Sequence, residues 1–206
     1  MTLAAHSGVS TDELVFIHPS SVLHRQKPDF VVYTDLVQGK TKLYMKGITV
    51  VQPEWLARLV PSACTFGKPL EAPAPSYDAT KDDIRCCMAG SFGQHVWPLP
   101  AIEMSYPDND PDRYRYFARF LLEGAIFAKL AKFVPSLKNK PDILNKPWVK
   151  ERVVAVLQPL VDGQIDTKAK LLAKWKADPK FLMQAFSLWL PSDLHGELVT
   201  MWPPLE

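Results

Sequence analysis

The sequence has little cysteine and no long apolar run. Its three cysteines are Cys64, Cys86 and Cys87, an odd number with two of them adjacent, which suits neither a disulfide framework nor a paired-cysteine metal site. We therefore expect reduced structural thiols. The sequence also lacks a run of about 18 apolar residues, the minimum for a membrane helix. Since no basic stretch followed by an apolar one opens the chain, we predict a soluble, intracellular protein with no membrane partner.

Motifs of catalysis are missing as well. The segment Gly39-Lys40-Thr41 is similar to the end of a phosphate-binding loop, but Thr34 occupies a position where that loop needs glycine. The segment also precedes a strand, whereas a phosphate-binding loop opens a helix. The sequence has no Asp-Glu-Ala-His run and no nucleophile elbow, and its His and Cys residues never fall at metal-ligand spacing. We predict no catalytic residue, no metal, no cofactor and no ATP hydrolysis by these 206 residues.

The charge is small in total but unevenly placed. The formal net charge is +2, yet residues 113–180 carry fifteen Lys and Arg against six Asp and Glu, whereas residues 63–110 carry three against seven. A basic region of this kind attracts a phosphate backbone. Lys and Arg are also ordinary residues of helix surfaces. Both interpretations remain open.

The first part of the chain has the pattern of a small antiparallel barrel with a basic rim. Residues 15–18, 30–37 and 43–51 are rich in β-branched and aromatic residues and are separated by proline, glycine and serine, as strands are. A short helix is predicted over residues 53–60, with Pro53 in its first turn. The many prolines of residues 61–81 then predict an extended connector.

In the second part of the chain, the spacing of the apolar residues changes from that of strands to that of helices. Residues 84–88 and 94–97 predict a β-hairpin whose second strand ends at Pro98. From Asp110-Pro111 onward, apolar residues recur at intervals of three and four, which predicts one long amphipathic helix up to about Val134. Further helices are predicted over residues 147–157, broken near Pro159, and over residues 167–177 and 180–190, followed by a last turn through residues 194–202. These helices would form a small bundle.

One strand offers candidate contacts to single-stranded RNA. In a strand, side chains alternate between the two faces. Leu43 and Met45 therefore lie on one face, and the opposite, solvent-facing side carries Lys42, Tyr44 and Lys46. A turn before it offers hydroxyl and backbone N–H groups to a phosphate. The candidate RNA-binding residues are Ser20, Ser21, Lys40, Lys42, Tyr44 and Lys46. The alternative is a plain turn beside a half-buried tyrosine.

A second basic surface is a further candidate. It comprises Arg113, Arg115, Arg119, Lys129 and Lys132 in the helical half, and would contact structured RNA or a partner protein. The alternative is an ordinary solvated helix face, on which Arg119 pairs with Glu123 four residues later.

Several motifs together resemble a known family. Three motifs come first along the chain: I-H-P-S-S-V-L at 17–23, P-D-F-V-V-Y at 28–33 and T-K-L-Y-M-K at 41–46. In this order they resemble the oligonucleotide-binding (OB) segment near the C-terminus of DEAH/RHA-type RNA helicases. Four later motifs are L-E-x-P-A-P at 70–75, W-P-L-P-A-I-E at 97–103, F-A-R-F-L-L-E-G at 117–124 and W-P-P at 202–204. They resemble one subgroup of these helicases, the ribosome-assembly subgroup that releases a small nucleolar RNA from the small-subunit rRNA precursor.

The resemblance implies an α+β fold in which an OB-type β-barrel precedes a β-hairpin and an appended helical bundle. The implied domains are an OB segment over 1–62, a connector over 63–82 and a C-terminal domain over 83–204, with Trp55 anchoring a helix beneath the barrel. We expect a non-catalytic C-terminal part of a pre-rRNA-processing helicase whose parent uses ATP and Mg. Implied partners are pre-rRNA or small nucleolar RNA, the motor domains in cis and pre-ribosomal assembly proteins, in the nucleus and nucleolus. The alternative function is a protein-interaction module without direct RNA binding.

Overall fold

The computed structural model describes residues 14–93, 96–145 and 150–205, together with the backbone of residues 3–5. The fold is mixed α/β, as predicted. The chain divides into two compact units: unit 1 comprises residues 1–68 and 88–102, and unit 2 comprises residues 69–87 and 103–206. The boundaries of the three sequence domains stay a prediction.

The described residues up to residue 50, all in unit 1, contain six short strands. They are β1 (Leu3–Ala5), β2 (Val15–Ile17), β3 (Phe30–Val32), β4 (Asp35–Gln38), β5 (Leu43–Lys46) and β6 (Thr49–Val50). They form two three-stranded sheets in the orders β1-β3-β6 and β2-β5-β4. Strands β1 and β2 are parallel to their partners, whereas β4 with β5 and β3 with β6 are antiparallel. Among the described residues these strands form two open sheets and no closed barrel.

The core of unit 1 follows the predicted alternation. Ile17, Val31, Tyr33 and Met45 are buried at its centre, from both sheets. Helix α1 (Pro53–Leu59) follows the sheets, with Pro53 in its first turn as predicted. The anchoring role of Trp55 is wrong, because Trp55 is 39% exposed. Leu56 instead lies beside Val31, Val32 and Val51 in a small apolar pocket.

The hairpin is longer than predicted. The next strands are β7 (Cys64–Pro69), β8 (Ser76–Asp78), β9 (Asp83–Phe92) and β10 (Trp97–Ser105), so residues 63–82 contain two strands. The sheet order is β10-β9-β7, with β8 paired to β9. Pro98 does not end the second strand, contrary to the prediction, because β10 is an edge strand and an edge tolerates a residue without an N–H. Gln94 and His95 of the predicted hairpin lie outside the described residues.

The long helix up to Val134 is wrong. Helix α2 (Asp112–Leu122) ends before Gly124, whose φ is +71°. A Cβ on Gly124 would lie 2.5 Å from the backbone nitrogen of Ala131, so the chain turns back closely at this point. Residues 128–136 continue as a 3-10 helix. Apolar residues keep the same spacing on both sides of the turn because α2 and the 3-10 helix both bury apolar side chains in one core. The sequence pattern alone therefore did not reveal where the helix ends.

The remaining helices are α3 (Glu151–Asp162), α4 (Lys168–Ala177), α5 (Met183–Ser187) and α6 (His195–Met201), with a 3-10 turn at Pro141–Asn145. Helix α3 continues through Pro159, contrary to the predicted break, because a proline one turn from the helix end removes only one hydrogen bond. Helix α5 is shorter than predicted, since Leu182 has a φ of +64° before it. Residues 147–149 of the predicted helix lie outside the described residues.

A cluster of aromatic side chains fills the core of unit 2. The ring centroid of Trp175 lies 5.0 Å from that of Phe127 and 5.4 Å from that of Trp202.

The N-terminus of α4 is capped by two side chains. Thr167 Oγ1 accepts from Lys170 N, and the Asp82 carboxylate accepts from the backbone nitrogens of Lys168 and Ala169 at 2.6 and 2.8 Å. These contacts tie the N-terminus of α4 to the turn before β9.

Within the described part of the chain, no helix combines the length and the apolar character that crossing a bilayer demands.

Candidate nucleic-acid interface

The turn after β2 is shaped by its own polar groups. Ser21 N donates to His18 O at 2.9 Å, and Ser21 then caps a 3-10 turn, with its Oγ accepting from Leu23 N at 3.3 Å. His24 Nδ1 lies 3.1 Å from Ile17 O, a distance that suits donation from the ring. Serine and histidine hydrogen-bond their neighbouring backbone readily, which is why this segment turns instead of extending β2.

His18 and Ser20 lie together beside Tyr44. Ser20 N donates to His18 Nδ1 at 3.2 Å, and Ser20 Oγ lies 2.6 Å from the same nitrogen. Because Nδ1 accepts these bonds, the proton of the neutral ring is on Nε2. The His18 and Tyr44 rings meet edge to face with centroids 4.9 Å apart. The turn is thereby joined to β5 by ring contact.

A glycine permits the position of Tyr44. Gly39 N donates to Lys42 O at 2.8 Å and closes the turn between β4 and β5. A Cβ at position 39 would lie 2.7 Å from Tyr44 Cε2. The tyrosine ring therefore covers the backbone of Gly39, and any larger residue there would displace it.

These elements enclose an open groove of about 510 Å³ in unit 1, which we call the β5 groove. Its polar lining includes four of the six candidate RNA-binding residues and His18. Its apolar lining comes from the turn and from β4, β5 and the residues after β5. The lining residues are His18, Ser20, Ser21, Val22, Leu23, Val37, Gly39, Tyr44, Met45, Lys46, Gly47 and Ile48.

The three candidate lysines are exposed. Lys46 lines the β5 groove, whereas Lys40 and Lys42 lie in and beside the turn between β4 and β5 and do not line it. Among the described residues none of the three forms an ion pair, although Lys46 stands opposite Asp35 in the strand register. Lys42 Nζ lies 4.6 Å from the centroid of the Phe16 ring. Their ammonium groups are available to a polyanion.

Sequence reasoning missed the apolar side of this site. Val22 is 84% exposed and Val37 is 49% exposed, and both line the β5 groove. In the sequence they read as ordinary strand or turn residues. The available signal was strand alternation: Val37 follows Asp35 by two residues and so lies on the same exposed face, whereas Leu36 between them is partly buried against the core of unit 1.

Arg113 does not belong to a basic surface, and its inclusion in the second candidate set is wrong. The residue is 4% exposed. Its Nε donates to Asp166 Oδ2 at 2.8 Å, and its other nitrogens lie 3.2 Å from Asp83 Oδ1 and 2.5 Å from Tyr106 O. Burial opposes its charge, but the bonds to Asp166 and Asp83 outweigh that cost and raise the pKa of Arg113. Arg113 is an interior structural cation.

The other four members of that set have partners within the protein. Arg115 contacts Asp112 and Leu144 O, and Arg119 Nε donates to Glu123 at 2.7 Å as predicted. Lys129 donates to Leu205 O, and Lys132 pairs with Glu197. All four are exposed or half-buried. The structure therefore does not gather them into one free basic surface, and a role for them in RNA contact stays a prediction.

None of the three cysteines lines the β5 groove. Cys64, Cys86 and Cys87 are all free. Burial is the main cause that raises the pKa of Cys86 to about 11, so this thiol stays protonated and unreactive at neutral pH. No group of metal-ligating side chains is found in the described part of the chain.

Two parts of the chain match known protein families. Residues 129–206 match the family described as DEAH helicase DHX37 C-terminal domain, and residues 3–63 match the oligonucleotide/oligosaccharide-binding (OB)-fold. The chain belongs to the DEAH-box RNA helicases, to their C-terminal region. The match to the OB-fold covers every residue that lines the β5 groove.

Individual DEAH-box helicases match almost the whole chain. A human protein, probable ATP-dependent RNA helicase DHX37, is 45% identical over 94% of this chain and 17% of its own length. Putative ATP-dependent RNA helicase rha-2 of Caenorhabditis elegans is 37% identical over 93% of this chain and 17% of its own length. ATP-dependent RNA helicase DEAH13 of Arabidopsis thaliana is 32% identical over 96% of this chain and 16% of its own length. The chain spans about a sixth of the length of these relatives.

Proposed function

We propose that this chain is the non-catalytic RNA-contacting region of a DEAH-box helicase that processes small-subunit pre-rRNA. The observation that carries the proposal is the β5 groove with its exposed Lys46 and the neighbouring Lys40 and Lys42, within the part of the chain that matches an OB-fold. Proteins that bind single-stranded RNA without sequence specificity use lysines and serine hydroxyls to contact phosphates and aromatic rings such as tyrosine to stack on bases.

The role in ribosome assembly is the finer part of the proposal. Its support is the resemblance of four sequence motifs, at 70–75, 97–103, 117–124 and 202–204, to the subgroup that releases a small nucleolar RNA from pre-rRNA. On this proposal the parent helicase works in the nucleus and nucleolus, where pre-rRNA is made. ATP and Mg would be bound by motor domains, since the 206 residues contain no phosphate-binding loop and no Asp-Glu-Ala-His run.

A salt series tests RNA binding at the β5 groove. Fluorescence anisotropy with a labelled single-stranded RNA should give micromolar or weaker affinity that falls as salt rises. The double variant Lys42→Gln/Lys46→Gln should bind about tenfold more weakly, with a salt slope shallower by about 1.4, because each lost single-strand phosphate contact removes about 0.7.

Lys176 and Lys180 provide a matched control. They are also four residues apart and exposed, and neither forms an ion pair among the described residues, but they lie in the helical part of unit 2. The variant Lys176→Gln/Lys180→Gln should bind RNA as the parent does. Unchanged affinity in the Lys42 and Lys46 variant, or an equal loss in the control, would contradict the assignment to the β5 groove.

Protein docking is the second candidate function, and a groove in unit 2 favours it. This groove, of about 720 Å³, lies between α3 and the segment of α5 and is lined by Pro159, Phe181, Leu182, Met183 and Leu188 among others. Apolar grooves between helices suit a partner's apolar side chains. Motor domains in cis or pre-ribosomal assembly proteins would be the partners. Binding of this kind should be nearly independent of salt, which separates it from RNA binding.

A further inference from the structure

Three exposed lysines of unit 2 lie in two segments that the fold brings together. Lys138 and Lys140 follow the 3-10 helix of residues 128–136, and Lys150 immediately precedes α3. Among the described residues none of the three forms an ion pair, in contrast to Lys132, which pairs with Glu197. We call Lys138, Lys140 and Lys150 the lysine cluster.

One hydrogen bond joins the two segments of the lysine cluster. Arg152 Nη1 donates to Asn139 Oδ1 at 2.7 Å. Asn139 stands between the first two lysines, and the third lysine is two residues before Arg152. Both segments are also bonded to one buried residue, since Lys138 N donates to Trp189 O at 2.8 Å and Trp189 Nε1 donates to Arg152 O at 3.2 Å. The lysines therefore extend from a backbone that contacts with the core hold in place.

The charge around the lysine cluster is positive. Residues 138–152 contain five Lys and Arg but two Asp and Glu. Of the two acids, Asp142 is half-buried and has a partner within the protein, and Glu151 is exposed in the first turn of α3. These two carboxylates do not balance the five cations, so the segment attracts a polyanion.

The groups that the lysine cluster offers suit an RNA duplex better than a single strand. Single-stranded RNA is held by stacking of its bases on aromatic rings, whereas duplex RNA is held mainly through phosphates and ribose hydroxyls. Trp189, the aromatic residue bonded to both segments, is fully buried, so its ring is closed to a base. A duplex presents a stiff array of phosphates, and cations on a fixed backbone can meet that array without ordering a flexible strand.

We propose that the lysine cluster of unit 2 binds the phosphate backbone of an RNA duplex. The three ammonium groups contact phosphates, and this contact carries no sequence information. The inference goes beyond the proposed function, which concerns single-stranded RNA at the β5 groove. It assigns to the chain a second RNA surface in a different unit.

The test measures binding of a blunt RNA duplex of about 16 base pairs, the length that a small double-strand-binding domain spans. A blunt duplex offers no single-stranded end to the β5 groove. In fluorescence anisotropy, Lys140→Gln/Lys150→Gln should bind it at least about tenfold more weakly, with a salt slope shallower by about 1.8, because each lost duplex phosphate contact removes about 0.9. The affinity of this variant for single-stranded RNA should stay that of the parent. Both lysines are exposed, so the midpoint of thermal unfolding should not change.

Lys176→Gln/Lys180→Gln is the matched control. It removes two exposed lysines of unit 2 that have the exposed Asp178 between them. The control should bind the duplex as the parent does. An equal loss in the control overturns the assignment to the lysine cluster, and so does a loss in Lys140→Gln/Lys150→Gln that is equal for duplex and single strand.

The failure of this inference and the failure of the proposed function give different results. A parent chain that binds single-stranded RNA but no duplex overturns the lysine cluster and leaves the proposed function in place. Duplex binding that depends on the cluster, without any single-strand binding, does the reverse. Unlabelled polyglutamate of equal total charge should displace the labelled duplex about tenfold less effectively than unlabelled duplex, because a flexible chain must be ordered to match the cluster. Equal displacement would indicate an acidic protein as the partner and overturn the RNA duplex.

Discussion

Arg113 Nε donates to Asp166 Oδ2 across 2.8 Å in the interior of unit 2, although the two residues are 53 positions apart in the chain. Arg113 is 4% exposed and Asp166 is 7% exposed. Asp83 approaches the same guanidinium from β9, and Lys170 approaches the Asp166 carboxylate from α4. The charged groups thus neutralise one another inside the protein and fix α2, β9 and α4 together.

Replacing Arg113 should destabilise unit 2 strongly. Arg113→Met removes the positive charge and leaves the carboxylates of Asp166 and Asp83 facing each other, so the free energy of unfolding should fall by about 3–5 kcal/mol. Arg119→Met is the control, since its ion pair with Glu123 is half exposed and should cost less than about 1 kcal/mol. Urea unfolding followed by circular dichroism measures both. If both variants lost the same free energy of unfolding, the buried ion pair of Arg113 would contribute no more to stability than the half-exposed pair of Arg119.

Asp166 should make stability depend on pH. Burial raises the pKa of this carboxyl, but the hydrogen bonds from Lys170 and Arg113 outweigh burial and hold the pKa below the ordinary 3.8. A group whose pKa is lower in the folded state stabilises the protein above its unfolded pKa and loses that effect as pH falls through its folded pKa.

The comparison of the parent with Asp166→Asn measures this effect. The difference in their free energies of unfolding should be largest near neutral pH and shrink below about pH 4, where the unfolded chain begins to bind a proton at this position. A difference that stays constant between neutral pH and about pH 3 would contradict the link to the Asp166 carboxyl.

Gly124 should tolerate no side chain. Its φ of +71° lies in the left-handed region, and a Cβ would lie 2.5 Å from Ala131 N and 2.6 Å from Ala131 Cα. Because the obstacle is backbone, Gly124→Ala should lower the free energy of unfolding by about 2 kcal/mol or more. Gly196→Ala in α6 meets nothing within 4 Å and should instead stabilise by about 0.5–1 kcal/mol. Thermal unfolding of the two variants should therefore shift in opposite directions.

Gly39→Ala should damage the β5 groove more than the fold. The added methyl group would lie 2.7 Å from Tyr44 Cε2, the outer part of a side chain that can rotate away. We expect the ring to leave its contact with His18 and RNA affinity to fall by a few fold, with a small change in unfolding midpoint. Gly67→Ala, whose Cβ would meet only Ala89 O at 3.6 Å, should leave RNA affinity unchanged. A Gly39 variant that binds RNA normally would show that the position of Tyr44 is not needed.

Local pattern was sufficient where neighbouring residues decide the structure. The alternation along β5 correctly predicted that Met45 is buried and that Lys42 and Lys46 are exposed, whereas Leu43 and Tyr44 are both half-buried. Pro53 correctly marked the start of α1, and the four-residue spacing of Arg119 and Glu123 correctly predicted their ion pair. Each of these features depends on a period or a contact within one turn or one strand.

Distant contacts decided what pattern could not. The helix that was expected to reach Val134 ends before Gly124, where Ala131 packs closely against the chain. Arg113 has the same helical surroundings in sequence as the other arginines, but it is buried because Asp83 of β9 and Asp166 after α3 pair with it. The apolar side of the β5 groove likewise depends on a turn and two strands coming together.

The sequence by itself determined the mixed α/β class, the family and the basic face of β5, because strand period, helix caps and short motifs act over a few residues. Only the tertiary structure decided which cations are free. A charge buried beside carboxylates from distant segments is neutralised, as at Arg113, whereas Lys42 and Lys46 stay exposed without an acidic partner among the described residues. Whether an arginine or a lysine can meet a phosphate is a property of its surroundings in space.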